Sequence, residues 1–154
     1  DQIRAAMPKD TVWVRDVTIS NTTWGNRAMT LYDPTTNVYP VGAGIGQGLG
    51  LGIGAALGAK GRKTVVMTGD GGFFLNVGEL WTAVQEKLDL CTIVMNDKGY
   101  GVIKHIQDSL YGGRRFYGDL MAPDLAVNGP TLVEVDMKSI GEYPPYPPYD
   151  KKIS

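Results

Sequence analysis

The sequence has little cysteine, modest charge and no excess of either charge sign. Cys91 stands alone in 154 residues, which excludes an internal disulfide framework and makes a reducing, cytoplasmic compartment the expectation. Fifteen Lys and Arg face sixteen Asp and Glu, a formal net charge of −1. Without a basic surplus to neutralise phosphates, a nucleic-acid binder is excluded. No basic segment followed by an apolar stretch and a small-residue cleavage site opens the chain. Residues 41–59 are uncharged over 19 positions, just enough to span a bilayer. Their eight glycines make a poor isolated helix, however, and suit close packing inside a folded protein, so no membrane partner is expected.

What the sequence does have is glycine, 21 residues, about twice the usual ~7%. Hydrophobic residues at 43% and charged residues at 20% describe a globular chain, and the length predicts one domain over residues 1–154. Residues 64–67 (TVVM) and 90–95 (LCTIVM) read as buried strands, and residues 131–137 (TLVEVDM) as a third. An earlier apolar run, TVWV at 11–14, ends at Arg15-Asp16. Residues 31–40 carry Asp33-Pro34 and read as loop. Leu75, Leu80, Ala83, Val84 and Leu88 recur at roughly helical spacing, which predicts an amphipathic helix over 75–88. A short helix is expected over 102–110 and loop over 112–124. The closing YPPYPPY at 143–149 reads as extended polyproline-like chain. Continuous apolar strands alternating with helices predict an α/β three-layer sandwich around a mainly parallel sheet.

In such sheets ligands bind beyond the carboxyl ends of the strands, here at Gly69-Asp70-Gly71-Gly72 and at residues 96–101 (NDKGYG). If the two strands are parallel neighbours, their ends lie about 5 Å apart, and Asp70 and Asp97 share one crevice. Two carboxylates so placed repel, and a divalent cation resolves the conflict. Hard oxygen ligands suit Mg²⁺ or Ca²⁺, and Mg²⁺ commonly takes one or two carboxylates plus substrate phosphates. Gly69, Gly71 and Gly72 let backbone N–H groups approach a phosphate, with the helix expected near Leu75 directing its positive end there. Gly99 frees a carbonyl to turn toward the metal. Either aspartate taken singly is also an ordinary capping or turn residue.

The series Gly69-Asp70-Gly71, 24 residues, then Asn96-Asp97 and Gly99-Tyr100-Gly101 resembles the thiamine-diphosphate motif, GDG followed after two dozen residues by NN. Gly42-Ala43-Gly44-Ile45-Gly46, with Leu49 and Gly54-Ala55-Ala56, is similar to the segment under the aminopyrimidine ring, and residues 131–136 to a late strand of the same domain. Nearly the whole chain resembles the pyrophosphate-binding (PP) domain of the acetolactate synthase, benzoylformate decarboxylase and pyruvate decarboxylase group. The resemblance implies the thiamine-diphosphate-binding fold, with thiamine diphosphate and Mg²⁺ as cofactors. It implies Asp70, Asp97 and the Gly99 carbonyl as metal ligands, with Asn96 replacing Asp97 if the register slips by one. Gly69, Gly71, Gly72, Tyr100 and Gly101 would line the diphosphate, and Ile19 and Ser20 would form a second diphosphate loop. Ala43, Gly44 and Ile45 would meet the ring end, Ile45 propping the cofactor in its bent shape. Asp97 stands where the family has Asn, adding negative charge beside an anionic diphosphate. The implied activity is non-oxidative decarboxylation of a 2-oxo acid, or carboligation, in a homodimer or homotetramer.

Two gaps accompany the resemblance. The catalytic glutamate has no counterpart, since Glu79 falls on the amphipathic helix, so no catalytic residue is expected here and a pyrimidine-binding (PYR) domain of the same or another chain must supply one. Relatives also have a helix–strand–helix unit where Leu125-Ala126-Val127 leads almost directly to Pro130, and the chain reads as a subunit or the carboxyl-terminal part of a longer polypeptide. Two alternatives stand beside this reading. Gly50-Leu51-Gly52-Ile53-Gly54-Ala55 fits the GxGxxA of an NAD(P)-binding Rossmann-type oxidoreductase, with Asp70 at a strand end 20 residues past Gly50. That reading needs residues 38–41, broken by Pro40, as its first strand and leaves residues 96–101 unexplained. A non-catalytic subunit retaining the fold is the other alternative. Cys91 is expected in the core, His105 near the site or on the surface, Arg114 and Arg115 on a loop, and Trp24 and Trp81 at packing or interface positions.

Overall fold

The computed structural model describes residues 2–121 and 132–136; the side chains of Thr23, Trp24 and residues 132–136 fall outside that description. The expectations for residues 124–131 and 143–149 lie outside the described residues. A short helix α1 (Gln2–Ala5) precedes β1 (Val12–Arg15), a π-helical turn at Asn21–Gly25 and a 3-10 turn at Pro34–Thr36. Then come β2 (Asn37–Val38), α2 (Gln47–Gly58), β3 (Thr64–Gly69) and α3 (Asp70–Leu75). A 3-10 turn at Val77–Glu79 leads into α4 (Leu80–Gln85), β4 (Leu90–Asn96), α5 (Gly101–Leu110) and β5 (Leu132–Asp136). The five strands form one sheet in the order β2-β1-β3-β4-β5, every pair parallel. The chain order reverses between β1 and β3, and that switch point is where an open α/β sheet leaves a crevice.

Alternation along the strands sends two apolar sets to opposite faces. Val12, Val14, Val66, Leu90 and Val94 pack with Leu49 and Ile53 of α2 and with Phe73 and Ala83. Trp13, Val65, Met67, Ile93 and Met95 fill the other face, against Ile3, Met7, Met29 and Leu31. Helix α2 lies directly on the sheet because Gly48 and Gly52 face it: a Cβ on Gly52 would collide with Val66 Cγ2, and one on Gly48 would come 2.7 Å from Asp16 Cβ. The glycine-rich segment is thus a core helix of 12 residues, and no helix of the described residues is long and apolar enough to cross a membrane.

The structure corrects several expectations. Residues 31–40 are not all loop, since β2 pairs with β1 there. The helix after the GDG turn starts at Asp70, not near Leu75, and residues 75–88 are not one amphipathic helix. The chain breaks at Asn76 (φ −133°, ψ 23°), whose side-chain amide donates to the Gly46 carbonyl at 2.6 Å. The break resets the helical phase, so Ala83 is buried while Leu75 and Val84 are 56% and 74% exposed. The GxGxxA run lies inside α2, where its glycines make no strand-to-helix turn, which removes the geometric basis of the dinucleotide reading. Cys91 is half-buried at the margin of the second apolar face, its thiol pushed up chiefly by desolvation. His105 and Trp81 are exposed, and Arg115 forms an ion pair with Asp108 at 2.5 Å on the loop side of α5.

Candidate cofactor and metal site

Three parallel strand ends meet at the switch point. Gly69 ends β3 opposite Met95 of β4, so the chain reaches Asp70 and Asp97 at adjacent positions of one edge, as the spacing predicts. Asp70 is buried, 1% exposed, and Asp97 is half-buried. The two carboxyl groups interact directly: burial first, then the charge of Asp70 and a hydrogen bond to it, push Asp97 up to about 6, against the opposing pull of Lys104 and the Gly99 amide. An acid pair, one member buried and the other half-buried and holding its proton up to about pH 6, is an electrostatic demand for a cation.

The loop carrying Gly99 is shaped to answer that demand. Lys98 adopts φ +55°, and the Gly99 N–H donates to Asp70 Oδ2 at 3.0 Å. Gly99 pairs antiparallel with Asp119, with Tyr100 N–H donating to Gly118 O at 2.8 Å and Leu120 N–H to Lys98 O at 3.0 Å. Those bonds flank the Gly99–Asp119 pair, so the N–H and C=O of Gly99 both turn away from the 118–120 segment, the N–H to meet Asp70. Lys104 supports this segment through Asp119 at 2.8 Å, and its ammonium occupies the space a Gly99 Cβ would need. Sequence reasoning passed over Lys104 and residues 118–120, because contacts between a helix and a later loop have no local pattern.

The glycines close the same region. A Cβ on Gly71 would come 2.7 Å from the Tyr100 ring. One on Gly101 would strike Asp97 Oδ2 and lie 3.8 Å from Ile19 Cγ2, which brings Ile19 to the site's border. Gly69 faces Thr18, whose Oγ1 lies 3.0 Å from its Cβ position. Ser20 is fully buried within the same turn, which Asn21 pins by donating to the carbonyls of Asp16 at 2.7 Å and Met67 at 3.0 Å. Asn96 is buried with its Oδ1 accepting from the Lys98 N–H, so its side chain shapes the loop while Asp97 faces Asp70. Ala43, Gly44 and Ile45 are not drawn into this cluster; they are exposed, Ile45 by 38%, and only the following residue, Gly46, touches it. Sequence reasoning also missed Asp16, a lone acid after a short apolar run, which is buried between Gly46, Thr68 and Gly72.

Among the described residues no group of three or more histidine, cysteine, aspartate or glutamate side chains forms a metal cluster. Two carboxyl groups and a backbone oxygen suit an ion that completes its shell from a bound phosphate and water, as Mg²⁺ does.

Residues 18–135 match the family described as thiamine pyrophosphate enzyme, C-terminal TPP binding domain. The chain is 41% identical over 63 residues to acetolactate synthase isozyme 3 large subunit of Escherichia coli K12, covering 38% of this chain and 11% of that protein. It is 39% identical over 63 residues, with the same coverage, to the acetolactate synthase large subunit of Buchnera aphidicola from Schlechtendalia chinensis. Among solved structures it is similar to a thiamine diphosphate-dependent 4-hydroxybenzoylformate decarboxylase of Rhodococcus jostii RHA1, with TM-score 0.74 and 25% identity. That likeness covers 86% of this chain and 30% of the decarboxylase.

Proposed function

Because the chain belongs to the thiamine pyrophosphate enzymes, matching their C-terminal TPP-binding domain, we propose that it anchors thiamine diphosphate through Mg²⁺ held by Asp70, Asp97 and the Gly99 carbonyl. The observation that carries this reading is the buried contact between Asp70 and Asp97 at the ends of two adjacent parallel strands. The residues present fit the ion: two hard oxygen donors already in conflict, beside a carbonyl left free of the 118–120 segment. Gly69, Gly71, Gly72, Tyr100 and Gly101 line the diphosphate, with the Ile19–Ser20 turn beside them, and Ala43, Gly44 and Ile45 receive the ring end. The coenzyme supplies a carbon nucleophile and an electron sink for the loss of carbon dioxide from a 2-oxo acid. The residues of this chain supply anchorage, charge balance and a fixed geometry at the sheet edge.

The activity proposed is non-oxidative decarboxylation or carboligation of a 2-oxo acid, lyase or transferase chemistry like that of the acetolactate synthases and decarboxylases it resembles. The chain spans about a tenth of the length of its curated relatives, and we place it as a PP domain that works with a PYR domain of the same or another chain. That partner brings the glutamate absent here, in a cytoplasmic homodimer or homotetramer. Glu79 is exposed on the 3-10 turn before α4. Thermal unfolding of the complete protein tests the cofactor assignment. The midpoint rises with thiamine diphosphate and Mg²⁺ together, and not with NAD. A rise with NAD, or none with the coenzyme plus metal, overturns it.

A further inference from the structure

Three segments proposed to touch the coenzyme converge on one carboxyl group that no part of that proposal uses. Asp16 is the first residue beyond β1 and is 3% exposed. Its Oδ1 accepts from the Val17 N–H at 2.7 Å, at the start of the turn that carries Ile19 and Ser20. Both of its oxygens accept from the Gly46 N–H, at 3.2 and 3.0 Å. Its Oδ2 lies 3.1 Å from the Thr68 hydroxyl, immediately before Gly69-Asp70, and 2.8 Å from where a Cβ of Gly72 would sit.

Gly46 is held from its other side as well. It opens α2 in the left-handed region, φ +89°, which favours glycine. Its carbonyl accepts from Asn76 Nδ2 at 2.6 Å, and Asn76 is the residue that ends α3, the helix begun by Asp70. Both peptide groups of Gly46 are therefore fixed by side chains rooted beside the diphosphate turn, while residues 43–45 just before it are exposed. A carboxylate accepts at both oxygens, which is what a ring of N–H and O–H donors around one buried atom pair requires.

We propose that Asp16, seconded by Asn76, is a positioning residue that sets the spacing between the ring-end segment 43–45 and the diphosphate turn 69–72. This rests on the thiamine diphosphate reading, and deepens it by assigning the residues that keep the two halves of the coenzyme site in register. Its consequence is a split in affinity: a ligand that touches only the metal and diphosphate half depends less on the clamp than one that must reach both halves.

The experiment measures Mg²⁺-dependent binding of inorganic pyrophosphate and of thiamine diphosphate to the complete protein, by calorimetry, in wild type, Asp16→Asn and Asn76→Ala. Wild type binds both. Asp16→Asn, which turns an amide N–H₂ toward the existing donors, weakens thiamine diphosphate by roughly tenfold more than pyrophosphate. Asn76→Ala, at an exposed position that leaves the core intact, moves the same ratio in the same direction by roughly threefold. Equal losses for the two ligands, or no loss for either, overturn the proposal, since a carboxyl group that served only the fold would move both together. Should Asp16→Asn not fold, the ratio in Asn76→Ala decides alone. Failure of wild type to bind either ligand with Mg²⁺ is a different result, and overturns the parent reading with this one.

Discussion

The two halves of the proposed coenzyme site differ in how far the fold has already built them. At the ends of β3 and β4, Asp70 is buried, Asp97 and Tyr100 are half-buried, and Gly99 is held by Asp70 on one side and residues 118–120 on the other. At residues 43–45 the chain is exposed, and it is tied to the rest through Gly46 and through the Gln47 amide, which donates to the Gly44 carbonyl at 3.1 Å. Sheet pairing assembles the first half, because parallel register leaves the two aspartates no other place. The second half is a loop end whose apolar Ile45 is 38% exposed. The proposed metal end is therefore preorganised, and the proposed ring end is the less built of the two.

The largest effect that would break this contrast is expected at the metal end. Asp70→Ala removes a buried carboxyl and the acceptor of the Gly99 N–H. Mg²⁺-dependent binding of thiamine diphosphate and of pyrophosphate should both fall by at least roughly a hundredfold; unchanged affinity in calorimetry would refute the metal assignment. Next in size is the same small substitution made in each half. Gly101→Ala drives a methyl group into Asp97 Oδ2 and should cost about 1–3 kcal/mol of stability by denaturant unfolding, along with metal affinity. Gly44→Ala meets only the flexible end of Gln47, at 3.0 Å, and should stay within about 0.5 kcal/mol. Equal costs at the two positions would show that the halves are equally rigid.

Acidity sharpens the comparison further. Asp97, pushed up to about 6 by burial and by Asp70, keeps its proton in the folded metal-free protein across a range in which the unfolded chain, near 3.9, has lost it. The folded state then binds more protons, so this group's contribution to stability is complete below about pH 4 and is lost as pH rises through 6. Mg²⁺ bound there would displace that proton, and metal affinity should climb over the same range. Unfolding curves at pH 4.5 and 7, with chelator and with Mg²⁺, read against Asp97→Asn, check both signs. Metal-free wild type that gains stability relative to Asp97→Asn as pH rises would reverse the argument. The smallest effect belongs to the ring end: Ile45→Ala, at a site 38% exposed, should leave the melting temperature nearly unchanged while weakening thiamine diphosphate a few-fold and sparing pyrophosphate.

The strands were legible because burial on both faces demands continuous apolar, β-branched runs, and TVVM and LCTIVM are such runs. The acid pair was legible because each aspartate follows directly on one of them. The break at Asn76 was not, since the spacing of Leu75, Leu80 and Val84 takes for granted a helix whose phase is never reset. Val84 and Trp81 consequently point outward, 74% and 75% exposed. Asp16 was illegible for a different reason: its three donors, which make four hydrogen bonds, come from Val17, Gly46 and Thr68, segments that carry no shared motif.

By itself the order of residues determined which stretches become buried strands and that an aspartate follows each of two of them, because hydrophobic run length and β-branching act locally. Tertiary structure alone decided that β3 lies between β1 and β4. Strand neighbours are chosen by packing among distant segments, and only that choice brings Asp70 against Asp97 and seals Asp16 beneath the glycines that surround it.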